Sequence, residues 1–242
     1  MLICGFHAVS SRLRRHAGSI RELYVQAGRQ DARMRTLLAL ALAQGVHARA
    51  VETARLDALA GQRRHQGVVA LAEPIALAGD LRGLLDALGA PPLLLLLDGV
   101  TDPRNLGACL RAADGAGVHA VIAPKDRACA LTDVAVQTAS GAADSVPYLM
   151  VTNLARTIDE LRERDIWVLG TTDDASRDLF EVDIPAAVAW VLGAEGTGLR
   201  RLTRERCDEL VRIPMMGAVA SLNVAVAAGV VLYQSVRARR VR

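Results

Sequence analysis

Apolar and polar positions alternate along this chain in two rhythms, one of about 3.6 residues and one of short unbroken runs. The first segment reads as a helix over Phe6–Arg15, a strand over Ile20–Ala27 and an amphipathic helix over Asp31–Gln44. Asp31 is suited to cap that helix and Gly45 to end it. Val46–Val51 reads as a strand, Thr53–Ala60 as a short helix and Gly67–Ala72 as a strand. Prolines and glycines then crowd residues 74–92, which read as a linker carrying a short helix near Leu81–Leu88.

The second segment opens on Leu93–Leu97, apolar without alternation, as in a strand covered on both faces. Asp102 and Pro103 fit the cap and first position of a helix reaching about Ala116. Strands are expected at Val118–Ala123, Ile166–Gly170, Val188–Gly193 and Leu210–Ile213, and helices at Leu131–Ser140, Asn153–Arg164 and Thr203–Glu209. Ser221 is expected to cap a last helix running toward Arg239. Strands alternating with helices predict an α/β fold, with a mostly parallel sheet covered on both faces. The expected divisions are a small domain over 1–73, a linker over 74–92 and a larger domain over 93–242.

Composition sharpens this division. The net charge of +3 is small, yet residues 1–74 carry 11 arginines against five acids, while residues 75–242 carry 18 basic groups against 21 acids. A basic first domain beside an acidic second one points to a nucleic-acid or membrane partner, or to a merely solvated basic surface. Seven aromatics are too few for a base-stacking platform. Four scattered cysteines without a CxxC pair disfavour zinc and suit a reducing compartment. The start of the chain lacks the pattern of a signal peptide, and no apolar run approaches the roughly 20 residues that span a bilayer. A soluble, cytoplasmic protein without metal or membrane partner is the expectation.

Common nucleotide and hydrolase signatures are missing: GxxxxGK[ST], GxGxxG and GxSxG do not occur. Three other segments each follow an expected strand. The first, DPRNLGACLRAADGAGV from Asp102, sets Arg104, Asn105 and Arg111 on or beside a helix N-terminus, which suits a phosphate. Asn105 and Arg111 are six apart, about 240° around a helix, so they share no face of it and converge on one site only if Asn105 sits in the entering turn or if two chains contribute. The second, LGAEGTGL from Leu192, surrounds Glu195 with glycines that let a ligand approach the backbone. The third, IPMMGAVASLNVAVAAG from Ile213, brings Ser221 and Asn223 to a helix entry. Singly, each is equally a capped helix or a glycine turn.

Together, in this order and spacing, the three segments resemble the SpoU/TrmH branch of the SPOUT RNA methyltransferases. GFHAV from Gly5 and HQG from His65 extend the likeness over the whole chain. The members it resembles most methylate a guanosine ribose of 23S ribosomal RNA. The resemblance implies an L30e-like RNA-binding domain and a catalytic α/β domain with a C-terminal trefoil knot. It also implies a homodimer and S-adenosylmethionine as cofactor, with no metal. Carried over by position, the catalytic set is Asn105, Arg111, Glu195, Ser221 and Asn223. Cofactor contacts fall on Gly193, Glu195, Gly196, Ile213 and Leu222, with Thr171 a weaker candidate. Arg63, Arg64, His65 and Arg104 are expected to meet RNA. The implied reaction methylates a ribose 2′-hydroxyl, with Arg111 either the base or a phosphate clamp. A tRNA target, another rRNA site and a non-catalytic assembly factor are the alternatives. One departure is Ala225, where the family often has serine.

Overall fold

The computed structural model describes residues 1–61, 63–73 and 79–241. Two compact units result: Met1–Ala76 with Ser140–Ser145, and Leu77–Ala139 with Val146–Arg242. Residues 74–78 of the expected linker lie outside the described residues.

The first unit is a four-stranded sheet with helices on both faces. Its elements are β1 (Leu2–Cys4), α1 (Phe6–His16), β2 (Ile20–Gln26), α2 (Ala32–Ala43), β3 (Ala48–Val51), α3 (Thr53–Ala60) and β4 (Val68–Ala72). The strand order is β1-β4-β2-β3, with β2 parallel to β3 and antiparallel to β4. Asp31 caps α2 as expected, its carboxylate accepting from Met34 N–H at 3.0 Å. Leu13 of α1 and Met34, Leu37 and Ala41 of α2 pack on one face with Leu23 and Val25. Leu56 and Ala60 of α3 pack on the other with Tyr24 and Val69.

The second unit holds α4 (Leu81–Ala87), β5 (Leu93–Asp98), α5 (Pro103–Ala116), β6 (Ala120–Pro124), α6 (Asp133–Ala139), β7 (Tyr148–Val151), α7 (Leu154–Arg162), β8 (Trp167–Thr171), β9 (Arg177–Asp178), β10 (Val188–Gly193), α8 (Arg201–Arg206), β11 (Glu209–Arg212) and α9 (Val224–Val241). Its seven strands are ordered β7-β6-β5-β10-β8-β11-β9, and every pairing is parallel. Leu93–Leu97 is wholly buried, because its alternate side chains face helices on opposite sides of the sheet. Leu94 and Leu96 meet Ile158 and Leu161 of α7, and Leu84 of α4 joins them. The short helix of the expected linker therefore contributes to this core. On the opposite face, the buried Trp190 indole donates to Ser235 Oγ of α9 at 2.8 Å.

Three short strands, β1, β7 and β9, were not expected. Two expectations about helix ends are corrected. The helix expected over Thr203–Glu209 runs instead over Arg201–Arg206, and Glu209 opens β11. The last helix begins at Val224, and its cap is Asn223, not Ser221: Asn223 Oδ1 accepts from Ala225 N–H at 3.0 Å.

Helix α5 meets α6 at Gly107, where a Cβ would stand 2.5 Å from the Ala135 carbonyl and 2.6 Å from Thr138 Cβ. Glycine to alanine inside an open helix stabilises by ~1 kcal/mol. Here the collision reverses the sign. Gly107→Ala is expected to destabilise the protein by about 1–3 kcal/mol, measured by urea unfolding.

Candidate active site

The carboxyl ends of β5, β8, β10 and β11 lie side by side, and ligands of open α/β sheets bind at this edge. A cleft of about 470 Å³ opens there. Thr171 ends β8, Gly193 ends β10 and Ile213 follows β11, and all three line the cleft. Glu195, Gly196 and Leu222 line it as well. The six positions expected to meet a cofactor thus share one cavity, although they come from three separated stretches.

The loop after β10 is held at both ends. Ala194 N–H donates to the Asp98 carbonyl at 3.0 Å, and Gly198 N–H returns to the Ala194 carbonyl at 2.9 Å. The buried Asp98 carboxylate accepts from Arg200 N–H at 2.9 Å and pairs with the Arg200 guanidinium. Gly193 is required by the resulting closeness. A Cβ on it would stand 2.2 Å from Gly198 C and 2.4 Å from Gly198 O.

This anchored loop sets Glu195 against two asparagines. Asn223 Nδ2 donates to Glu195 Oε1 at 2.6 Å and to Asn105 Oδ1 at 3.0 Å. Asn105 Nδ2 reaches the same Glu195 oxygen at 3.5 Å, and Val224 N–H, in the first turn of α9, points to it at 3.3 Å. Each donor meets Oε1. Glu195 Oε2 has no hydrogen-bond partner among the described residues. The cluster therefore presents one open carboxylate oxygen beside the positive end of a helix dipole.

Ser221 lines the cleft, exposed, and makes no hydrogen bond among the described residues. Arg111 is exposed on α5 and has no hydrogen bond or ion pair to the other four catalytic candidates. That agrees with its 240° separation from Asn105. Arg104 is exposed at the start of α5, where its N–H donates to the capping Asp102.

In the first unit, Arg63, Arg64 and His65 line a second cavity, of about 600 Å³. His65 Nδ1 accepts from Gly67 N–H at 3.1 Å and His65 Nε2 lies 2.9 Å from Asp57 Oδ1.

Asp173, Asp174 and Arg204 also line the first cleft and were not singled out from sequence. Arg204 and Thr172 hold the Asp174 carboxyl below the usual carboxylate range, so an anion faces the cleft at neutral pH. The available signal was an acid pair directly after a strand. Burial pushes the Cys109 and Cys207 thiols up to about 12, so neither is a thiolate nucleophile at neutral pH. Among the described residues, no group of three or more His, Cys, Asp or Glu could hold a metal ion. No helix among them is long and apolar enough to cross a membrane.

Comparison with known proteins covers the whole chain. Residues 92–233 match the SpoU rRNA Methylase family, and residues 2–77 match the family described as RNA 2′-O ribose methyltransferase substrate binding. The chain is 58% identical over 239 residues to the 23S rRNA (guanosine-2′-O-)-methyltransferase RlmB of Bordetella pertussis, spanning 99% of this chain and 98% of that one. Among solved structures, an RNA 2′-O ribose methyltransferase matches with a TM-score of 0.76 and 28% identity, over 99% of this chain and 89% of that chain. The SpoU methyltransferase AviRb of Streptomyces viridochromogenes, in complex with AdoMet, matches with a TM-score of 0.73 and 27% identity, over 100% of this chain and 91% of that chain.

Proposed function

We propose, from the premise that this chain belongs to the SpoU rRNA methylase family, that it methylates a ribose 2′-hydroxyl of 23S ribosomal RNA using S-adenosylmethionine. The proposed target is a guanosine of the peptidyl-transferase P loop. The single observation that carries the chemistry is the Asn105–Glu195–Asn223 cluster beside a glycine-walled cleft. The RlmB relative at 58% identity supports the choice of RNA. The P-loop position rests on the resemblance.

The cleft fits the cofactor by size and by lining. Its volume lies in the range of small-molecule sites. Backbone at Gly193, Gly196 and Ile213 offers donors and acceptors, Leu222 offers apolar surface, and the acids complement a cationic ligand. When bound, S-adenosylmethionine supplies an electrophilic methyl group on a sulfonium.

The chain's own residues would then orient and deprotonate the ribose. Glu195 Oε2 is free to accept the hydrogen bond of the 2′-hydroxyl, while Oε1 stays fixed by its three donors. That fixation holds the acceptor in line for attack, where positioning contributes much of the rate. The N-terminus of α9 and the Ser221 hydroxyl stabilise negative charge developing on the ribose oxygen. Arg111 clamps a substrate phosphate, which its planar guanidinium can meet with two parallel hydrogen bonds. Arg63, Arg64, His65 and Arg104 contact RNA. An L30e-like first domain, a trefoil knot around the cleft, a homodimer and a cytoplasmic location complete the proposal on the strength of the resemblance.

The test uses 23S rRNA from a strain lacking its own enzyme of this family, and labelled S-adenosylmethionine. One methyl per molecule is expected on a single ribose, with none transferred to rRNA already modified there. Arg111→Ala is expected to lower the single-turnover rate at least ~100-fold, as loss of a charge-assisted phosphate clamp would. Transfer to tRNA and not to 23S rRNA would replace the substrate assignment. No transfer to either would leave an RNA-binding assembly role.

A further inference from the structure

The second cavity lies within the first unit, bounded by the start of α1, the end of β2, the first turn of α2 and residues 63–67. Arg29, Arg33, Arg63, Arg64 and His65 face it, against the single acid Asp57. Two of these basic groups belong to the wall. Arg29 pairs with Asp31, donates to the Gln66 carbonyl at 2.6 Å and lies over the Phe6 ring at 4.9 Å. His65 is fixed between Asp57 and Gly67 N–H.

Arg33 and Arg64 differ. Both are exposed, and neither has an ion pair or side-chain hydrogen bond among the described residues. Arg33 stands in the first turn of α2, the helix end at which a cation is unfavourable, and that turn contains no acid. Arg33 and Arg64 bring two guanidinium groups to one cavity, and among the described residues no carboxylate pairs with either. A phosphate relieves that repulsion and accepts charge-assisted hydrogen bonds from both free arginines.

We propose that this cavity is a binding site for a backbone phosphate of RNA, with Arg33 and Arg64 as its ligands and Arg29 as a positioning residue. The inference rests on the RNA-methylating function proposed above, in which Arg64 already contacts RNA, and adds Arg33 as the second phosphate ligand and Arg29 as the residue that positions Arg64. Arg29 acts through geometry: its guanidinium fork ties the Asp31 carboxylate to the Gln66 carbonyl, and so fixes the turn that presents Arg64. The aromatic ring beneath it keeps that fork in place.

The experiment measures binding of a 23S rRNA transcript by the full chain across a salt series, beside methyl transfer to the same transcript. Arg33 and Arg64 are exposed, so an R33A/R64A variant is expected to fold, with an unchanged circular dichroism spectrum as the control. Each lost phosphate contact flattens the log–log salt slope by ~0.7–0.9. For two contacts that amounts to roughly 25- to 60-fold weaker binding at 0.1 M salt. Arg29→Lys keeps the charge but not the fork. A positioning role predicts weaker binding for it, whereas a purely electrostatic role predicts wild-type binding.

An unchanged slope and affinity in R33A/R64A would overturn the phosphate site. The same result with the wild-type chain methylating 23S rRNA would leave the proposed methylation standing and remove the Arg64 contact from it. A wild-type chain that methylates no RNA would instead defeat that function, while the salt slopes would still judge the cavity. Wild-type behaviour of Arg29→Lys would remove the positioning role alone.

Discussion

Gly193→Ala is expected to weaken S-adenosylmethionine binding about 5- to 150-fold, the equivalent of ~1–3 kcal/mol of overpacking strain. The added Cβ would lie 2.2 Å and 2.4 Å from Gly198 C and O, and 2.5 Å from Leu199 N. These are backbone atoms, so no side chain can turn aside. The loop cannot drift as a whole either. Ala194 is bonded to the Asp98 carbonyl at one end, and Arg200 is anchored on the buried Asp98 carboxylate at the other. The strain must open the Ala194–Gly198 bridge, and Glu195, which lies inside it, leaves the two asparagines. Methyl transfer should fall further than cofactor affinity, because the cluster is lost as well as the cleft wall. Isothermal titration with the cofactor reads the first effect and single-turnover transfer the second. Gly217→Ala is the control, since nothing lies within 4 Å of a Cβ there. Equal affinity in Gly193→Ala and Gly217→Ala would show that the loop yields without cost.

Asn223→Asp is expected to lower the transfer rate about 10- to 150-fold at neutral pH, and to recover toward acid. The substitution replaces the amide that donates to Glu195 Oε1 at 2.6 Å with a second carboxylate. A hydrogen bond to a charged group contributes ~1.5–3 kcal/mol, which sets the expected loss. Two carboxylates this close resist ionising together, so one of the pair in the variant gives up its proton only above its usual range. Above that value both are charged and repel. Below it one is protonated, an O–H donor is restored between positions 223 and 195, and the cluster can close. The variant's rate relative to wild type should therefore rise as pH falls from about 8 toward 5. Asn223→Ala offers no such proton, so its relative deficit should stay flat. A flat profile for Asn223→Asp as well would mean that the Asn223–Glu195 contact does not govern the reaction.

Much of the fold was legible because its determinants are local. Caps at Asp31 and Asp102 act over two or three residues, and the structure shows each accepting from a nearby backbone N–H. The run Leu93–Leu97 announced a doubly covered strand, and it is buried throughout. The strands outside the expected set, β1, β7 and β9, span only three, four and two residues, and each lies at the edge of its sheet. Their pairing depends on distant strands such as β4, β6 and β11.

The last helix shows the same division within one motif. Ser221 and Asn223 are both competent caps, and nothing in SLNV chooses between them. The structure chooses Asn223. Val224 N–H is directed at Glu195 Oε1, 29 residues away in sequence, so the helix begins only after residue 223.

By itself, then, the sequence determined which stretches are helices and buried strands, which half carries the basic charge, and which polar residues deserved suspicion. Only the tertiary structure decided that Asn105, Glu195 and Asn223 meet, with Arg111 exposed elsewhere on the helix that carries Asn105. Those three residues are 28 to 118 positions apart. They converge because β10 pairs beside β5 and α9 packs against α5, and such pairings come from burying whole faces of sheet and helix together.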